Sequence, residues 1–238
     1  MSAVRTARER VRAEMIREIT VTARRQLATA GAAGLSLRAV ARELGMVSSA
    51  IYRYVPSRDD LLTLLIIDGY NAVGEAVERA DARSTKNAAE DFAGRWLAVC
   101  RAVREWALAH PHEYALLYGS PVPGYKAPDD TVAAAVRDTV VFARVITEAH
   151  TAGAIAPDAP CPPPPPSITE GLGRVRAIVG MDVPDDVIAR SLTAWAGLYG
   201  TVSFEVFGQY DNLLDDQARA DYFDHGMTLL GRLIGLKP

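Results

Sequence analysis

The chain has 238 residues, an apolar fraction of 49% and a net charge of −3, which excludes disorder as its main state and suits one or two folded domains. No apolar run reaches the roughly 20 residues that span a bilayer, and no signal peptide is recognisable, so we expect a cytoplasmic protein without a membrane partner. Cys100 and Cys161 are too few for a disulfide framework and lack the Cys-x-x-Cys spacing of a zinc site.

The charge is distributed unevenly along the chain. Residues 1–60 contain eleven arginines, six acidic residues and no lysine, giving about +5, whereas the remainder carries about −8. Guanidinium groups offer paired donors to phosphate, so a positive first quarter is typical of a surface that contacts nucleic acid. A solvated helix of mixed arginine and glutamate would carry the same charge, and charge alone does not separate the two interpretations.

The first predicted helix covers about residues 8–30. Gly31 and Gly34 are expected to end it, because glycine readily adopts the conformation that terminates helices. Its apolar residues recur every four positions, as on one face of a helix: Val11, Met15, Ile19, Ala23 and Leu27. This face predicts packing against the elements that follow.

Two short helices are predicted next, separated by a turn at Gly45. Ser36 stands where its side chain would cap the first of them, whose apolar side is formed by Leu37, Val40, Ala41 and Leu44. The second covers about residues 48–55, and its Ile51 and Val55 share one face. Helices this short are marginal alone, so tertiary packing must hold them.

Helices account for the rest of the predicted structure. Pro56 ends the second short helix, and Ser57 caps a longer one that extends to about Ala80. Further helices are predicted near residues 84–109, 112–119, 129–153, 168–180, 184–208 and 215–235. Strand-like alternation is absent from the sequence, so the predicted fold class is all-α.

A proline-rich segment, residues 157–166, interrupts this helical pattern. Its composition predicts an extended loop that resembles polyproline II. A surface linker between two helices and a rigid ligand for a proline-binding module both agree with that composition, and the linker is the preferred interpretation.

The two short helices have the arrangement of a helix-turn-helix, whose second helix enters the major groove of DNA. If Ile51 and Val55 point inward, Ser48, Ser49, Tyr52 and Arg53 point outward, where arginine pairs with guanine and serine with bases or phosphates. The complete set of residues expected to contact DNA is Ser36, Arg38, Ser48, Ser49, Ala50, Tyr52, Arg53, Tyr54, Ser57 and Arg58. A tightly folded corner of an ordinary helical protein, with the serines as caps, is the alternative.

Residues 36–62, with the helix before them, resemble the DNA-binding domain of the TetR family of bacterial transcription regulators. The matching positions are Ser36, Val40-Ala41, Gly45, Ile51-Tyr52-Arg53-Tyr54-Val55 and Arg58. Three positions differ from the family pattern: Val47 replaces a capping serine, Tyr54 a histidine and Val55 a phenylalanine. We therefore expect Ser48 to cap the second short helix instead.

Two later segments, residues 110–125 and 195–208, resemble the subgroup whose regulatory domain is named for a Trp-His-Gly motif, although Ala196 replaces the histidine. The resemblance implies an N-terminal three-helix DNA-binding domain, residues 1–65. A larger helical domain for ligand binding and dimerisation, residues 66–238, would follow it.

The resemblance also implies a homodimer on a palindromic operator in double-stranded DNA, most often as a repressor, and release by a small-molecule effector of unknown identity. The last two helices would form the dimer interface through Gly197, Gly200, Phe204 and Phe207. The effector, apolar or amphipathic, would lie among Phe92, Trp96, Cys100, Val103, Tyr114, Tyr118, Phe142, Trp195 and Tyr199. All these residues would also suit an ordinary core.

Neither catalysis nor a cofactor is expected. The four histidines are scattered, and no Gly-x-Ser-x-Gly, His-x-x-x-His or phosphate-binding glycine loop is present, so no catalytic or metal site is predicted. The alternative to a ligand-controlled regulator is an architectural DNA-binding protein that uses the same helix-turn-helix without an effector.

Overall fold

A computed structural model describes residues 6–156 and 161–237, and these are helical apart from loops and one isolated antiparallel bridge between Ile155 and Leu236. The predicted all-α fold class is confirmed. The helices are α1 (Ala7–Ala30), α2 (Leu37–Glu43), α3 (Ser48–Ile51), α4 (Arg58–Asn87), α5 (Phe92–Ala109), α6 (Pro111–Tyr118), α7 (Val132–Ala135), α8 (Arg137–Thr151), α9 (Thr169–Val179), α10 (Asp185–Val206) and α11 (Asp216–Ile234).

Several helix boundaries differ from the sequence-based ones, including the start of α5, which lies at Phe92 rather than near residue 84. Helix α4 continues to Asn87 rather than ending near Ala80, because the polar residues after that point contain neither glycine nor proline to stop it. The helix predicted over residues 129–153 is interrupted at Val136, between α7 and α8. Helix α3 has only four α-helical residues and continues as turns.

The proline-rich segment is described only in part, since residues 157–160 lie outside the described ranges. Cys161 to Pro165 are not helical, in agreement with the predicted loop, whereas Pro166–Ile168 forms a 3-10 turn that leads into α9. A proline at the first position of such a turn forfeits no hydrogen bond, because that N–H would have no acceptor in the turn.

The chain divides into two compact units. The first comprises Met1–Tyr70 and His110–Val132, and the second comprises Asn71–Ala109 and Ala133–Pro238. The predicted boundary after residue 65 assigns His110–Val132 to the larger domain, whereas the compact units group it with the N-terminal residues. Sequence order alone does not reveal such a return of the chain.

The core of the first unit joins one face of α1 to the two short helices and the start of α4. Its fully buried members include Ile19, Val40, Ile51 and Leu61. The predicted apolar face of α1 is buried from Ile19 to Leu27, but Val11 is exposed. The first two turns of α1 are solvated, and a capping box satisfies two backbone N–H groups there: that of Glu9 donates to the Thr6 hydroxyl, and that of Thr6 donates to the Glu9 carboxylate.

The core of the second unit lies among α5, α8, α10 and α11. Trp96 on α5 is buried there, and its Nε1–H donates to the Met227 carbonyl on α11 at 2.7 Å. Beside this core, Arg95 donates to the buried Asp81 carboxylate of α4 at 2.9 Å. The second unit is therefore held by apolar packing together with a buried ion pair.

No helix in the described ranges is long and apolar enough to cross a membrane.

Candidate nucleic-acid interface and apolar cavity

Helix α2 and the turn after it have the backbone that the sequence predicts. The Ser36 hydroxyl accepts from the Ala39 N–H at 3.4 Å and caps α2. Gly45 then turns the chain with φ +66°, a conformation that residues with a Cβ rarely adopt, and the Met46 N–H donates to the Ala41 carbonyl at 2.8 Å. The turn is therefore tight and leads directly into α3.

The N-cap of α3 differs from the prediction. Val47, not Ser48, occupies the N-cap position, and no side chain accepts a hydrogen bond there. The expectation that Ser48 caps this helix is thus wrong, because the preceding turn brings the chain into helical geometry one residue earlier than that cap requires. Ser48 is instead the first helical residue, and its side chain is exposed.

The outward side of α3 is polar and exposed, as its periodicity predicts. Ile51 and Val55 are buried in the first-unit core, whereas Ser48, Ser49, Tyr52 and Arg53 are exposed. Ala50 is half-buried between the two sides. Within the described part of the chain, the side chains of Ser48, Ser49 and Arg53 form no hydrogen bond to the protein, so these donors are available to a partner.

Two further arginines lie on α2, one helical turn apart. Arg38 and Arg42 are both exposed, and neither forms an ion pair with any described residue. Most other arginines of this unit are engaged; for example, Arg25 pairs with Glu43 at 2.7 Å. Arg38 was predicted from the sequence to contact DNA, and Arg42 was not. The spacing of four residues places the two arginines on the same face of α2, and this spacing could have indicated Arg42 as well.

Ser57 and Arg58 are tied to the fold itself. The Ser57 hydroxyl accepts from the Asp60 N–H at 3.1 Å and donates to the Asp60 carboxylate at 2.6 Å. One terminal nitrogen of the half-buried Arg58 donates to the Ala32 carbonyl at 2.8 Å. Part of the Arg58 guanidinium is therefore already engaged, although the prediction considered only an outward contact.

Arg12 of α1 holds the chain that follows α3. It donates to the Arg53 carbonyl at 2.8 Å and to the Tyr54 carbonyl at 3.4 Å, and its guanidinium lies 5.7 Å from the centre of the Tyr54 ring. The half-buried Tyr54 is thus packed against the protein, and the backbone that carries Arg53 is fixed. Because Arg12 and Arg53 are 41 residues apart in the sequence, no local pattern predicted this contact.

Helix α6 packs in the first unit and brings two predicted pocket residues with it. Arg24 of α1 pairs with the Glu113 carboxylate of α6 at 3.1 Å and also with Asp68 of α4. Burial raises the pKa of Glu113 despite this arginine. Tyr114 and Tyr118 therefore belong to the first unit, and they are not among the residues that line the second-unit cavity described next.

The second unit contains an apolar cavity of about 200 Å³. Helices α5, α8, α9 and α10 supply most of its wall. Its lining residues are Trp96, Val136, Thr139, Phe142, Ala143, Ile146, Val175, Ile178, Val179, Met181, Ile188, Ser191, Leu192 and Trp195. The polar side chains are engaged within the protein: Ser191 donates to the Val187 carbonyl at 2.7 Å, and the Thr139 hydroxyl contacts Asp138.

Three of the predicted pocket residues line this cavity, namely Trp96, Phe142 and Trp195. Phe92, Cys100, Val103 and Tyr199 are buried but do not line it, so they are corrected to core positions. Burial raises the pKa of the Cys100 thiol well above its usual range. The sequence missed the contribution of α9, because Val175, Ile178 and Val179 are ordinary apolar residues of an amphipathic helix.

Tyr199 has a role in the core rather than at the cavity. Its hydroxyl donates to the buried carboxylate of Asp138, the residue between Arg137 and the lining residue Thr139. Burial raises the pKa of Asp138, although the hydrogen bonds from Tyr199 and Thr139 oppose that change. Tyr199 therefore does not line the cavity itself but holds Asp138, which contacts the lining residue Thr139.

Comparison with known proteins agrees with both the helix-turn-helix and the helical second unit. Residues 19–65 match the family of bacterial regulatory proteins, tetR family, and residues 96–230 match the tetracyclin repressor-like C-terminal domain. The second match alone covers more than half of the chain. The protein belongs to the TetR family.

Relatives of this TetR-family protein are transcription regulators. Over 207 residues it is 44% identical to the HTH-type transcriptional regulators Mb1846 of Mycobacterium bovis and Rv1816 of Mycobacterium tuberculosis, covering 87% of this chain and 85% of theirs. The crystal structure of SCO4313, described as a regulatory protein, aligns with a TM-score of 0.75 and 34% identity over 94% of this chain and 98% of that one. This TetR-family protein is thus a DNA-binding transcriptional regulator.

The predicted dimer face of this TetR-family chain is partly exposed. Gly200 is exposed on α10, and the exposed fractions of Phe204 and Phe207 are 54% and 45%. Gly197 differs, since a Cβ at that position would lie 2.9 Å from the Leu230 side chain of α11. Gly197 therefore permits close packing within the chain, in contrast to its predicted place in an interface between chains.

Proposed function

We propose that this TetR-family regulator is a repressor that binds a palindromic operator as a homodimer and leaves it when a small apolar or amphipathic molecule enters the second unit. The observation that carries the proposal is the exposed, uncommitted polar face of α3, which stands beside the free arginines of α2. Since bacterial DNA lies in the cytoplasm, the proposed activity is cytoplasmic.

In the proposed complex, α3 lies in the major groove. Arg53 donates two hydrogen bonds to guanine O6 and N7, Ser48 and Ser49 contact bases or phosphates, and Ala50 approaches a thymine methyl group. Tyr52 and Tyr54 direct their hydroxyls to phosphates. The backbone N–H groups near Ser36 and Ser57, with Arg38 and the free part of the Arg58 guanidinium, complete the phosphate contacts.

The proposed dimer forms through α10 and α11 of each chain. The exposed side of α10 offers Gly200, Phe204 and Phe207, and Gly200 has open space where a side chain would stand, so a partner helix can approach closely. Two-fold symmetry then presents two copies of α3 to half-sites about 34 to 36 Å apart, or a multiple of that spacing.

The proposed effector is uncharged and largely apolar. The cavity is somewhat larger than the roughly 150 Å³ cavities that hold benzene, and its lining contains no charged side chain. Trp96 and Ser191 already donate to carbonyls of the protein and the lining has no charged side chain, so a ligand with a buried charge would find no charged partner. Shape and apolar area would therefore decide which molecule binds.

The proposed release passes through α4, which begins at Arg58 and contributes residues to both compact units. Arg137 stands between the cavity residues Val136 and Thr139 in sequence, and it pairs with Glu78 of α4 at 2.6 Å. A ligand that displaces this wall would displace α4 and change the separation of the two α3 helices. Such coupling is worth typically about 1 to 3 kcal/mol.

The decisive experiment is selection of the purified protein against random duplex DNA at physiological salt, followed by sequencing. Enrichment of a palindrome that maps to promoters is the expected result. Enrichment of many dispersed sites would favour the architectural alternative, and binding that is only salt-sensitive and unselective would contradict sequence-specific regulation. Addition of a small-molecule extract to the complex of the protein with the selected operator then tests whether an effector releases the DNA.

Arg42→Ala is expected to weaken binding to all duplex sequences alike. Because the Arg42 side chain has no partner among the described residues, its loss removes a phosphate contact and leaves the fold intact. The plot of log affinity against log salt should become shallower by about one unit. Arg83→Ala, which removes an exposed arginine of the second unit that also forms no ion pair with a described residue, is the matched control, and an equal change in its salt slope would contradict the assignment.

Naphthalene is expected to raise the melting temperature of the protein, whereas naphthalene-2-carboxylate at the same concentration is not. The cavity lacks any charge that would repay burial of the carboxylate. Ala143→Leu, which fills part of the cavity, should abolish the effect of naphthalene, and Val140→Leu on the exposed side of α8 should preserve it. Stronger stabilisation by the carboxylate would contradict an apolar site.

A further inference from the structure

Val47 is an apolar side chain in an unusual place. It is 71% exposed, lies in the turn between α2 and α3, and occupies the N-cap position, where serine, threonine, aspartate or asparagine stabilise a helix. An exposed valine at such a position forfeits both a capping hydrogen bond and the burial of its methyl groups. Local stability therefore gives no reason for this residue.

The position of Val47 is well fixed by its neighbours. Its carbonyl accepts from the Ala50 N–H at 2.8 Å, and the preceding Met46 packs against the first-unit core. The side chain consequently projects from a well-fixed backbone, next in sequence to the exposed Ser48 and Ser49. A small apolar group held in a defined direction is suited to contact another small apolar group.

The charged residues near Val47 indicate what kind of partner it contacts. The free arginines Arg38, Arg42 and Arg53 belong to the same helix-turn-helix, so the partner is strongly negative and has an apolar spot. The major groove of DNA has this combination, because phosphates line its edges and the thymine C5-methyl group is the apolar feature of its floor. An apolar patch on a protein partner would not require three uncommitted arginines.

We infer that Val47 reads a thymine methyl group in each half-site of the operator. The inference rests on the proposed function, since it assumes that α3 enters the major groove. It adds a specificity contact six residues before Arg53, made by burial rather than by hydrogen bonds, and it accounts for the absence of a capping side chain on α3. Specificity is thus obtained at the expense of local helix stability.

The test uses the selected operator with single deoxyuridines in place of thymidines, which removes only the methyl group. For one thymine in each half-site, the substitution should weaken binding of the unaltered protein about fourfold, the ratio expected for burying one methyl group. Val47→Ser, which changes both protomers, should bind the thymine duplex and the duplex with deoxyuridine in both half-sites equally, at the affinity of the unaltered protein for that doubly substituted duplex. Val47→Thr, which retains one methyl group, should keep part of the difference.

Val47→Ser should also raise the melting temperature, since serine supplies the missing cap, so weaker binding would not result from unfolding. Val140→Ser, a change of an exposed valine in the second unit, is the control and should keep the full uracil effect. If no thymine shows an effect that depends on Val47, the inference is overturned while the regulator remains. If selection enriches no sequence, the proposed function fails and the inference with it.

Discussion

Asp81→Ala is expected to destabilise the protein by about 3 to 5 kcal/mol, the range found when one partner of a buried ion pair is removed. Asp81 and Arg95 have side-chain exposures of only 3% each, and the carboxylate of Asp81 also accepts from Arg144 at 2.7 Å. Without Asp81, the Arg95 guanidinium remains buried with Glu148 as its one acidic partner in the described structure. Urea unfolding, followed by circular dichroism, measures the loss.

Glu75→Ala is the matched control for this prediction, because Glu75 lies on the same helix and pairs with Arg79, but both side chains are 57% exposed. Exposed pairs of this kind contribute about 0 to 1 kcal/mol, so the control should change stability little. The double variant Asp81→Leu, Arg95→Met should recover most of the loss, since it leaves no buried charge. Equal destabilisation by Asp81→Ala and Glu75→Ala would contradict the role of burial.

Arg53→Ala is expected to abolish discrimination at one base position in each half-site, a loss of about 1 to 3 kcal/mol for the preferred guanine. The fold should survive, because Arg12 holds this segment through the Arg53 backbone carbonyl and not through its side chain. Repeated selection from a randomised operator pool measures the base preference, and size-exclusion chromatography with light scattering shows whether the dimer is retained.

Arg53→Lys separates base reading from charge at this position. Lysine keeps the positive charge but lacks the planar pair of donors, so affinity for unrelated DNA should be preserved while the preference for guanine falls. An unchanged base preference in both variants would mean that Arg53 faces away from the groove. The uracil experiment on Val47 is independent of this outcome, because it concerns a methyl group and not a guanine.

The helix-turn-helix illustrates how far sequence periodicity reaches. The inward direction of Ile51 and Val55, the cap at Ser36 and the turn at Gly45 were all predictable, because each depends on residues within one or two helical turns. The cap of α3 was not, since the turn geometry decides at which residue the helix begins. The predicted DNA contacts themselves remain proposals.

The cavity illustrates what sequence periodicity does not reach. Four residues on one helical face and five aromatic residues from other segments predicted nine pocket positions, but burial in a core and exposure to a cavity give the same pattern in sequence. Only Trp96, Phe142 and Trp195 line the cavity, while α9 contributes residues that carry no aromatic signal. The return of α6 to the first unit removed Tyr114 and Tyr118 from the second.

The sequence by itself determined the all-α class, most helix boundaries, the helix-turn-helix and its outward residues, because these follow from local periodicity, caps and turn residues. The tertiary structure decided the partners of side chains far apart along the chain, including Arg12 with the Arg53 carbonyl and Asp81 with Arg95. It also decided which apolar side chains surround a cavity. Such contacts depend on how helices that are distant in sequence pack against one another, and local sequence patterns do not specify that packing.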